Sequence, residues 1–244
     1  WRASLFLIGY LADTYLAYNP SFPYATTLLL DHSLPAWLSK WASFDGVHYL
    51  TIMKRGYLGT GLIQAFFPLF PWLTSTLAPA QTISGLISTG LGLNSLLMIY
   101  LAWLALKLLR LDVDTQAARW GVVALFLFPT SFFLAALYSE ALYLALSLTA
   151  LYLIRKHYWW GAAVLILAAG ATRITGIFLV LALLAEWATS VGWHAQKLKQ
   201  QFAKMLLISG VASFGLVGYM AYLWWQFGDP LYFLHVQAEF GAGR

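Results

Sequence analysis

The sequence predicts an all-α protein whose helices cross a membrane several times. Of its 244 residues, 61% are hydrophobic and only 9% are charged, and the mean hydropathy is +0.72. Soluble domains contain about 25% charged residues, so this chain has too few charges to cover a surface in water. Several apolar runs also approach the roughly 20 residues that a helix needs to span the hydrocarbon of a bilayer.

Composition also excludes several kinds of site. The chain has no cysteine, so disulfide bridges and thiolate metal ligands are excluded. The net charge is +5, but the basic residues form no tract of the kind that binds nucleic acid, and we expect no nucleic-acid partner. Asp45 and His48 could together bind a metal ion, but no third ligand has a suitable spacing, so we expect neither a metal nor a cofactor.

The two ends of the sequence indicate a longer parent protein. The chain begins at Trp1, within an apolar run over 3–12 that is too short to cross about 30 Å of hydrocarbon. It ends at Arg244 in a stretch with the composition of a loop. We expect 1–244 to be a single membrane domain, the N-terminal part of a longer protein, and no cleavable signal peptide is visible.

The stretch 13–80 is predicted to be an extracytoplasmic loop that contains interfacial helices. Within it, 34–44 and 47–57 have apolar residues at three- and four-residue spacing, the pattern of amphipathic helices in the membrane interface. The segment 65–73 contains two prolines and is predicted to be rigid and irregular. It either lines a groove for a lipid tail or only turns the chain at the interface.

Three apolar spans follow this loop. The first covers 83–107, the second 119–137 and the third 139–154. A polar Tyr-Ser-Glu sequence at 138–140 separates the last two. Each run has the length and hydrophobicity of a helix that crosses or nearly crosses a bilayer.

The segment 159–190 is too long for one crossing. At 1.5 Å per residue it would run about 48 Å, against about 30 Å of hydrocarbon. Arg173 and two glycines lie at its middle, so we predict two short half-helices with a turn at 171–176. The last span covers 205–227 and stops before Gly228, and the residues after it are predicted to form a loop.

The distribution of positive charge supports this topology, because cytoplasmic loops carry an excess of lysine and arginine. With two half-helices, the basic residues between the spans share one side, which is therefore cytoplasmic: Lys107, Arg110, Arg119, Arg155, Lys156, Lys197, Lys199 and Lys204. The same topology collects six polar residues on the extracytoplasmic face: Asp45, His48, Glu140, Arg173, Asp229 and His235.

Asp45 is the first candidate for chemistry among these residues. A carboxylate in a cleft can act as a general base towards a sugar hydroxyl. An aspartate at the start of a helix is also a good cap, and both interpretations stay open. His48 lies three residues on, on the same face of the same turn, so both side chains can point into one cleft.

Arg173 needs an anionic partner, because an arginine in apolar surroundings is costly without one. A lipid phosphate matches the guanidinium fork, and the ends of half-helices would add backbone N–H donors. An internal ion pair with Glu140 or Glu186 is the alternative. Glu140 begins a span, where it also suits a helix cap.

The other polar residues have structural explanations or are weaker candidates for a role in the site. Tyr138 and Tyr143 are interpreted as part of an aromatic belt at the membrane interface. Asp229 precedes a proline and is interpreted as a turn residue. His235 and Gln237 are weaker candidates for a contact with substrate.

Four motifs occur in order between 44 and 237. Their residues are Phe44-Asp45 with His48-Tyr49, Gly56-Tyr57 and Ala65-Phe66-Phe67-Pro68 to Pro71; Pro129, Ser131, Phe133 and Tyr138-Ser139-Glu140; Ala171-Thr172-Arg173 to Gly176; and Gly228-Asp229-Pro230, Phe233 and Gln237. In these motifs the chain resembles the PIG-V-like family, that of the second glycosylphosphatidylinositol (GPI) mannosyltransferase, within the GT-C glycosyltransferases.

The resemblance implies a GT-C-like fold with an active site on the extracytoplasmic side. It implies inverting transfer of a sugar, mannose, from a polyprenyl-phosphate donor to a lipid or glycan acceptor. Asp45 matches the catalytic acid position of the family, and we assign it as the general base. Substrate binding is assigned to five residues: His48, Tyr49, Glu140, Arg173 and Gln237. Arg173, helped by His48, would hold the donor phosphate.

One departure from the family concerns the residue before the candidate base. Phe44 stands where the family has tryptophan, so a ring is kept but an indole N–H donor is lost. This difference bears on the identity of the acceptor, which the resemblance leaves open.

Two other functions fit the same features. A transporter or flippase of lipid-linked sugars would bind the same donor without releasing polyprenyl phosphate. A non-catalytic subunit of a glycosylation complex would tolerate the loss of Asp45. The clustering on one face favours the enzyme, because a transporter spreads polar groups through the depth of the membrane. We expect a multi-pass protein of a bacterial or archaeal plasma membrane or of the ER membrane, which is compatible with a partner subunit.

Overall fold

The structure is a computed structural model in which every described regular element is a helix, as the all-α prediction requires. The described residues are 1–15, 26–30, 34–58, 61–192 and 194–239. They belong to two compact units: unit 1 consists of Trp1–Phe66 and Phe70–Ala141, and unit 2 of Phe67–Leu69 and Leu142–Arg244. The single membrane domain stays a prediction.

Unit 1 contains six α-helices within the described ranges. They are α1 (Arg2–Tyr15), α2 (Ala36–Ser39), α3 (Asp45–Arg55), α4 (Leu69–Leu77, whose first residue belongs to unit 2), α5 (Ile83–Leu109) and α6 (Thr115–Leu127). Short π or 3-10 turns occur at Thr26–Leu30, Lys40–Ala42 and Ile63–Ala65.

Side-chain caps fix the starts of α5 and α6. Thr82 accepts a hydrogen bond from the backbone N–H of Gly85 at 3.1 Å. Asp114 accepts from the N–H groups of Gln116 and Ala117 at 2.8 and 3.0 Å. Such caps satisfy N–H groups that have no partner inside the helix. The α5 start at 83 agrees with the predicted span.

The second predicted span, 119–137, is wrong in its C-terminal part. α6 ends at Leu127, a 3-10 helix covers Pro129–Leu134, and residues 135–139 are irregular. Pro129 explains the break, because proline has no N–H and disfavours the α conformation of the residue before it. Phe128 accordingly has φ −60° and ψ 135°.

α3 forms where the amphipathic segment 47–57 was predicted, but its central part is covered on all sides. Seven consecutive residues of α3, from Gly46 to Ile52, are buried. An interfacial helix buries only one face, so α3 is a core helix of unit 1 in this structure. The arrangement of the 13–80 segment relative to a membrane stays a prediction.

Unit 2 contains the remaining five α-helices of the described ranges. They are α7 (Glu140–Arg155, whose first two residues belong to unit 1), α8 (Trp159–Gly170), α9 (Leu179–Ser190), α10 (Ala195–Phe227) and α11 (Tyr232–Glu239). Their buried core consists of Ala150, Ile154, Ala162, Ala163, Ile166, Leu183, Trp187, Met205, Ile208 and Ala212.

A close approach of α8 and α10 organises unit 2. A Cβ atom added to Gly215 of α10 would lie 1.8 Å from the backbone oxygen of Leu167 of α8. Real Cβ atoms do not come so close to a carbonyl oxygen, so the crossing requires glycine. Small residues at such crossings let two helix backbones pack together.

The prediction of two short helices in 159–190 is confirmed. α8 ends at Gly170, and a 3-10 helix, Ile174–Phe178, leads into α9. The chain folds back on itself after the break, because a Cβ atom on Gly176 would lie 2.4 Å from the backbone of Ala169. The break itself falls at residues 171–173, within the predicted turn.

The C-terminal part of unit 2 differs from prediction in one respect. α10 ends at Phe227, and Gly228 follows with φ +74°, a left-handed conformation that glycine adopts readily, as predicted. The residues after it are not all loop, because α11 begins at Tyr232. Asp229 accepts a hydrogen bond from the N–H of Leu231 at 2.9 Å, which confirms its turn role and stabilises the approach to α11.

Two helices of the described ranges are long and apolar enough to cross a membrane, judged by length and composition alone. They are Ile83–Leu109 and Leu198–Phe227. Three shorter apolar helices have 10–17 residues: Arg2–Ala12, Trp159–Gly170 and Ile174–Ser190. These helices are compatible with the predicted membrane protein, and the number of crossings stays a prediction.

Candidate active site

The irregular residues 135–139 of unit 1 lie against the start of α3. The N–H of Leu137 donates a hydrogen bond to the carbonyl oxygen of Trp41 at 2.8 Å. The hydroxyl group of Tyr138 donates to the carbonyl oxygen of Ser43 at 3.1 Å. These bonds hold the 135–139 loop beside the turn that carries Asp45.

Asp45 is the first residue of α3, and its side chain is exposed. The N-cap position belongs to Phe44, so Asp45 lies in the first turn, where the positive end of the helix dipole favours a carboxylate. Gly46 donates a backbone hydrogen bond to Ser43 at 3.1 Å. An exposed carboxylate at this place can receive a proton from a ligand that approaches the helix start.

The turn before Asp45 is strained. Phe44 has φ +52° and ψ −119°, the conformation of the first central residue of a type II′ turn, which glycine favours. A non-glycine residue in such a region costs about 1–3 kcal/mol and is typical of functional sites. The side chain of Phe44 is 66% exposed, so an aromatic ring borders the carboxylate of Asp45.

Tyr138 lies in the electrostatic field of two carboxylates. Burial raises the pKa of Tyr138, and the negative charges of Asp45 and Glu140 raise this pKa further, while a hydrogen bond with the Asp45 backbone acts in the opposite direction. The hydroxyl of Tyr138 thus responds to the charges of two of the predicted site residues, and the catalytic role of Asp45 and the substrate-binding role of Glu140 stay predictions.

His48 and Tyr49 support this site from within. Each is only 4% exposed. The hydroxyl of Tyr49 and the Oγ of Ser139 are hydrogen-bonded at 2.7 Å, which ties α3 to the 135–139 loop. The ring of His48 stacks on that of Phe66, with centroids 4.9 Å apart.

The buried position of His48 favours its neutral form near neutral pH. Burial lowers the pKa of His48 to about 4, because the imidazolium ion loses its hydration. A neutral, buried imidazole supplies no positive charge to a phosphate. The role of His48 in substrate binding stays a prediction.

Arg173 and Gln237 belong to unit 2, whereas the other four predicted site residues belong to unit 1. Arg173 is half-buried at the break after α8. Its backbone N–H donates a hydrogen bond to the carbonyl oxygen of Ala169 at 2.9 Å. Gln237 is exposed on α11. Their contact with a substrate stays a prediction.

Two aromatic residues of the 65–73 segment are buried, Phe70 in unit 1 and Phe67 in unit 2. In unit 1, the ring of Phe70 packs against that of Tyr49 at 5.2 Å. In unit 2, the ring of Phe67 packs against that of Tyr219 at 4.8 Å. Phe67 and Phe70 are 3% and 0% exposed, so these two rings offer no surface to a lipid tail, unlike the exposed Trp72.

Asn94 is a residue of this site that local sequence patterns do not identify. It is fully buried in α5, and its Nδ2 donates hydrogen bonds to the carbonyl oxygens of Ala136 and Tyr138 at 2.6 and 3.0 Å. A polar side chain in the middle of an apolar span is the only sequence signal, since such residues usually have a partner inside the protein.

Asp229 and His235 of unit 2 form a second polar pair. The Nδ1 of His235 lies 2.5 Å from Oδ2 of Asp229, and this hydrogen bond is the main cause of the lowered pKa of Asp229. No group of three or more His, Cys, Asp or Glu side chains that could hold a metal ion occurs in the described part of the chain.

Comparison with known proteins identifies the relatives of this chain. A family model described as Mannosyltransferase (PIG-V) matches residues 5–230. A mouse GPI alpha-1,6-mannosyltransferase 2 is 33% identical over 220 residues, which cover 79% of this chain and 41% of that protein. The rat protein of the same name is 36% identical over 155 residues, 59% of this chain and 30% of that protein. The chain thus spans less than half the length of these relatives, and no solved structure matches it.

Proposed function

Because this chain belongs to the PIG-V family of mannosyltransferases, we propose that it forms part of a membrane enzyme that transfers mannose from a polyprenyl-phosphate donor to a lipid-linked glycan. The donor class and the inverting course come from the resemblance described above. The acceptor class is that of the GPI mannosyltransferases to which the chain is similar. The apolar composition and the two long apolar helices support a membrane location.

The observation that carries this proposal is a pair of hydrogen bonds, Tyr49–Ser139 and Tyr138–Ser43, that join the start of α3, which carries Asp45, to the loop that leads to Glu140. Asp45 is exposed, and both it and Glu140 act on the Tyr138 hydroxyl. A sugar acceptor presents hydroxyl groups, which donate hydrogen bonds to carboxylates. One carboxylate can therefore take the reacting proton while the other orients the sugar.

The proposed reaction is one displacement at the anomeric carbon. A hydroxyl oxygen of the acceptor attacks C1 of mannose from the side opposite the phosphate and forms the new glycosidic bond. The hydroxyl proton moves to the carboxylate of Asp45. The bond between C1 and the phosphate oxygen breaks, its electron pair stays on that oxygen, and polyprenyl phosphate leaves.

Arg173 is proposed to bind the phosphate of the donor. Its guanidinium group is permanently charged and can form two parallel hydrogen bonds to phosphate oxygens. Positive charge at this position stabilises the negative charge that develops as the phosphate leaves. Gln237, His48 and Tyr49 are proposed as further substrate contacts, and the buried rings of His48 and Tyr49 also hold the Asp45 helix in place.

The membrane arrangement forms the last part of the proposal. The enzyme is a multi-pass integral membrane protein with its site on the extracytoplasmic side. This side follows from the positive charges between the predicted spans. A partner subunit is compatible with the proposal.

The test is a transfer assay with the full-length membrane protein. Radiolabelled polyprenyl-phosphate mannose and a synthetic lipid-linked mannoside serve as donor and acceptor. Asp45→Asn should reduce transfer by at least about a thousandfold, as expected for loss of a general base, with unchanged expression. Asp112→Asn, which changes an exposed carboxylate in the turn between α5 and α6, is the matched control and should keep activity.

The outcomes separate the three candidate functions. Retained transfer in Asp45→Asn would discard the assignment of the base. Movement of the donor across the bilayer without release of polyprenyl phosphate would identify a transporter. Full function of a glycosylation complex that contains Asp45→Asn, with no transfer by the isolated wild type, would identify a non-catalytic subunit.

A further inference from the structure

Asn94 is a buried polar residue of α5 whose side chain is hydrogen-bonded to the 135–139 loop. It is 0% exposed, so its amide group can interact only with protein. Its Nδ2 donates to the carbonyl oxygens on both sides of Leu137, those of Ala136 and Tyr138, at 2.6 and 3.0 Å. These two carbonyl groups lie outside any α-helix, and buried carbonyl groups need such donors.

Gly90, one turn before Asn94 on α5, leaves space for a side chain of this loop. A Cβ atom on Gly90 would lie 2.2 Å from Cδ1 of Leu137, so the Leu137 side chain occupies the space that any larger residue would fill. Residues 90 and 94 are four apart and share one face of α5. This face therefore receives both the side chain of Leu137 and the carbonyl groups beside it.

α3 meets the same loop from another direction. A Cβ atom on Gly46 would lie 3.4 Å from the carbonyl oxygen of Leu137 and 3.6 Å from Cε1 of Tyr138. Gly46 directly follows Asp45. The loop is thus fixed to α5 by the Asn94 amide and abuts the first turn of α3 at the residue next to the candidate base.

We propose that Asn94 is a positioning residue that sets the separation of the Asp45 and Glu140 carboxylates. Asn94 binds the carbonyl group of Tyr138, the hydroxyl of Tyr138 binds the carbonyl group of Ser43, and the two carboxylates lie two residues beyond Ser43 and Tyr138. This inference rests on the proposed function, in which both carboxylates act on the acceptor.

A purely structural role for Asn94 makes different predictions. If Asn94 only joined α5 to its neighbours, its loss would lower stability and the amount of active protein, but the remaining protein would react normally. If it positions the carboxylates, the reaction itself changes. Two like charges influence each other's proton uptake according to their separation, so the pH dependence of the reaction reports this distance independently of the amount of active protein.

The experiment uses the full-length protein in lipid nanodiscs. Asn94→Leu removes the amide at similar volume, and Gly90→Ala displaces Leu137 from the same face. Ser95→Ala and Gly92→Ala are the matched controls on α5. The Ser95 hydroxyl only bonds to Leu91 of its own helix, at 2.7 Å, and a Cβ on Gly92 meets nothing within 4 Å.

Three quantities are compared: amide hydrogen exchange, kcat and the pH dependence of kcat/KM. Amide hydrogen exchange of peptides covering 135–140 should rise by about tenfold or more in Asn94→Leu and Gly90→Ala, because the loop loses its anchor. Transfer should fall by about tenfold to a hundredfold in kcat, as expected for misplaced groups. The acid limb of kcat/KM should move to lower pH, because Glu140 can move away from Asp45. Both controls should match the wild type.

Each outcome decides a different point. Unchanged exchange at 135–140 in both variants would show that Asn94 does not hold the loop. Raised exchange with a wild-type pH profile would leave only a structural role and overturn the positioning proposal. A wild type without transfer would refute the proposed function instead, and with it the positioning role, while the exchange data would still decide whether the loop depends on Asn94. If Asn94→Leu does not fold, Asn94→Ala, which removes the amide without adding volume, replaces it in both measurements.

Discussion

The hydroxyl group of Tyr49 and the Oγ of Ser139 form a buried hydrogen bond of 2.7 Å between residues 90 positions apart. Tyr49 lies on α3 one turn after Asp45, and Ser139 directly precedes Glu140. The bond therefore joins the elements that carry the two candidate carboxylates. Because both groups are buried, neither can exchange its partner for water, so the bond favours one relative position of the two elements.

A double-mutant cycle tests this connection. Tyr49→Phe keeps the ring contacts with Phe66 and Phe70 but leaves the Ser139 hydroxyl without this partner. We expect a loss of about 1–2 kcal/mol in the free energy of unfolding. Ser139→Ala should add little on top of Tyr49→Phe, with a coupling energy of at least about 0.5 kcal/mol in detergent unfolding measurements. Additive losses would contradict a direct bond.

His48 should make stability depend on pH in the acidic range. Its pKa in the folded protein is about 4, below the ordinary 6.5, so the unfolded state binds more protons between these values. Stability is then complete above about pH 6.5 and falls as the pH decreases towards 4. The loss amounts to as much as about 3 kcal/mol at 1.36 kcal/mol per pKa unit.

Unfolding of the wild type and of His48→Gln between pH 4 and 7 checks this prediction. Glutamine removes the titration and keeps a polar group at the site, so the slope of stability against pH should be smaller in the variant than in the wild type. Equal slopes in both proteins would show that other groups cause the dependence.

Helices were predictable from the sequence where the apolar run and the α-helix have the same boundary. Hydrophobicity and length predicted the start of α5 at Ile83 and the paired short helices around Arg173. They failed after α6, because the apolar pattern continues past Pro129 while the α-helix does not. The proline was visible in the sequence, and its missing N–H is the physical reason for the break. α11 was missed because Asp229 and Pro230 were interpreted only as a turn, although the same pair is typical of a helix start.

The candidate site was predictable only in part. The topology predicted a common side for Asp45 and Glu140, which stays a prediction, while hydrogen bonds in unit 1 join the elements that carry them. Tyr138 was interpreted as part of an aromatic belt, since its contacts come from distant residues. Asn94 bonds across more than 40 residues, to Ala136 and Tyr138. Such contacts depend on tertiary packing, which the spacing of apolar residues does not describe.

The strain at Phe44 predicts opposite effects on stability and activity. Phe44→Gly relieves the positive φ of +52° and should raise the free energy of unfolding by about 1 kcal/mol. It also removes an exposed ring beside Asp45, so transfer should fall. Phe44→Leu is the control, because it keeps the strain and removes the ring. Lower stability in Phe44→Gly than in Phe44→Leu would contradict this account of the turn.

Arg173 should affect the use of the donor. Arg173→Lys keeps the charge but loses the planar fork that binds phosphate bidentately, and Arg173→Ala loses both. We expect the donor KM or the donor dissociation constant to rise about tenfold in Arg173→Lys and more in Arg173→Ala. Arg119→Ala changes an exposed arginine of α6 and should have no effect. Unchanged donor affinity in Arg173→Ala would remove the phosphate role.

Two glycines of α10 provide a matched test of the packing of unit 2. A Cβ on Gly215 would lie 1.8 Å from the Leu167 oxygen, whereas a Cβ on Gly210 meets nothing within 4 Å. Gly215→Ala should therefore force α8 and α10 apart and cost about 1–3 kcal/mol or more. Gly210→Ala should be neutral or gain up to about 1 kcal/mol, because alanine favours helix more than glycine does. Thermal unfolding of both variants measures the difference. Equal effects would mean that α8 and α10 do not approach at Gly215.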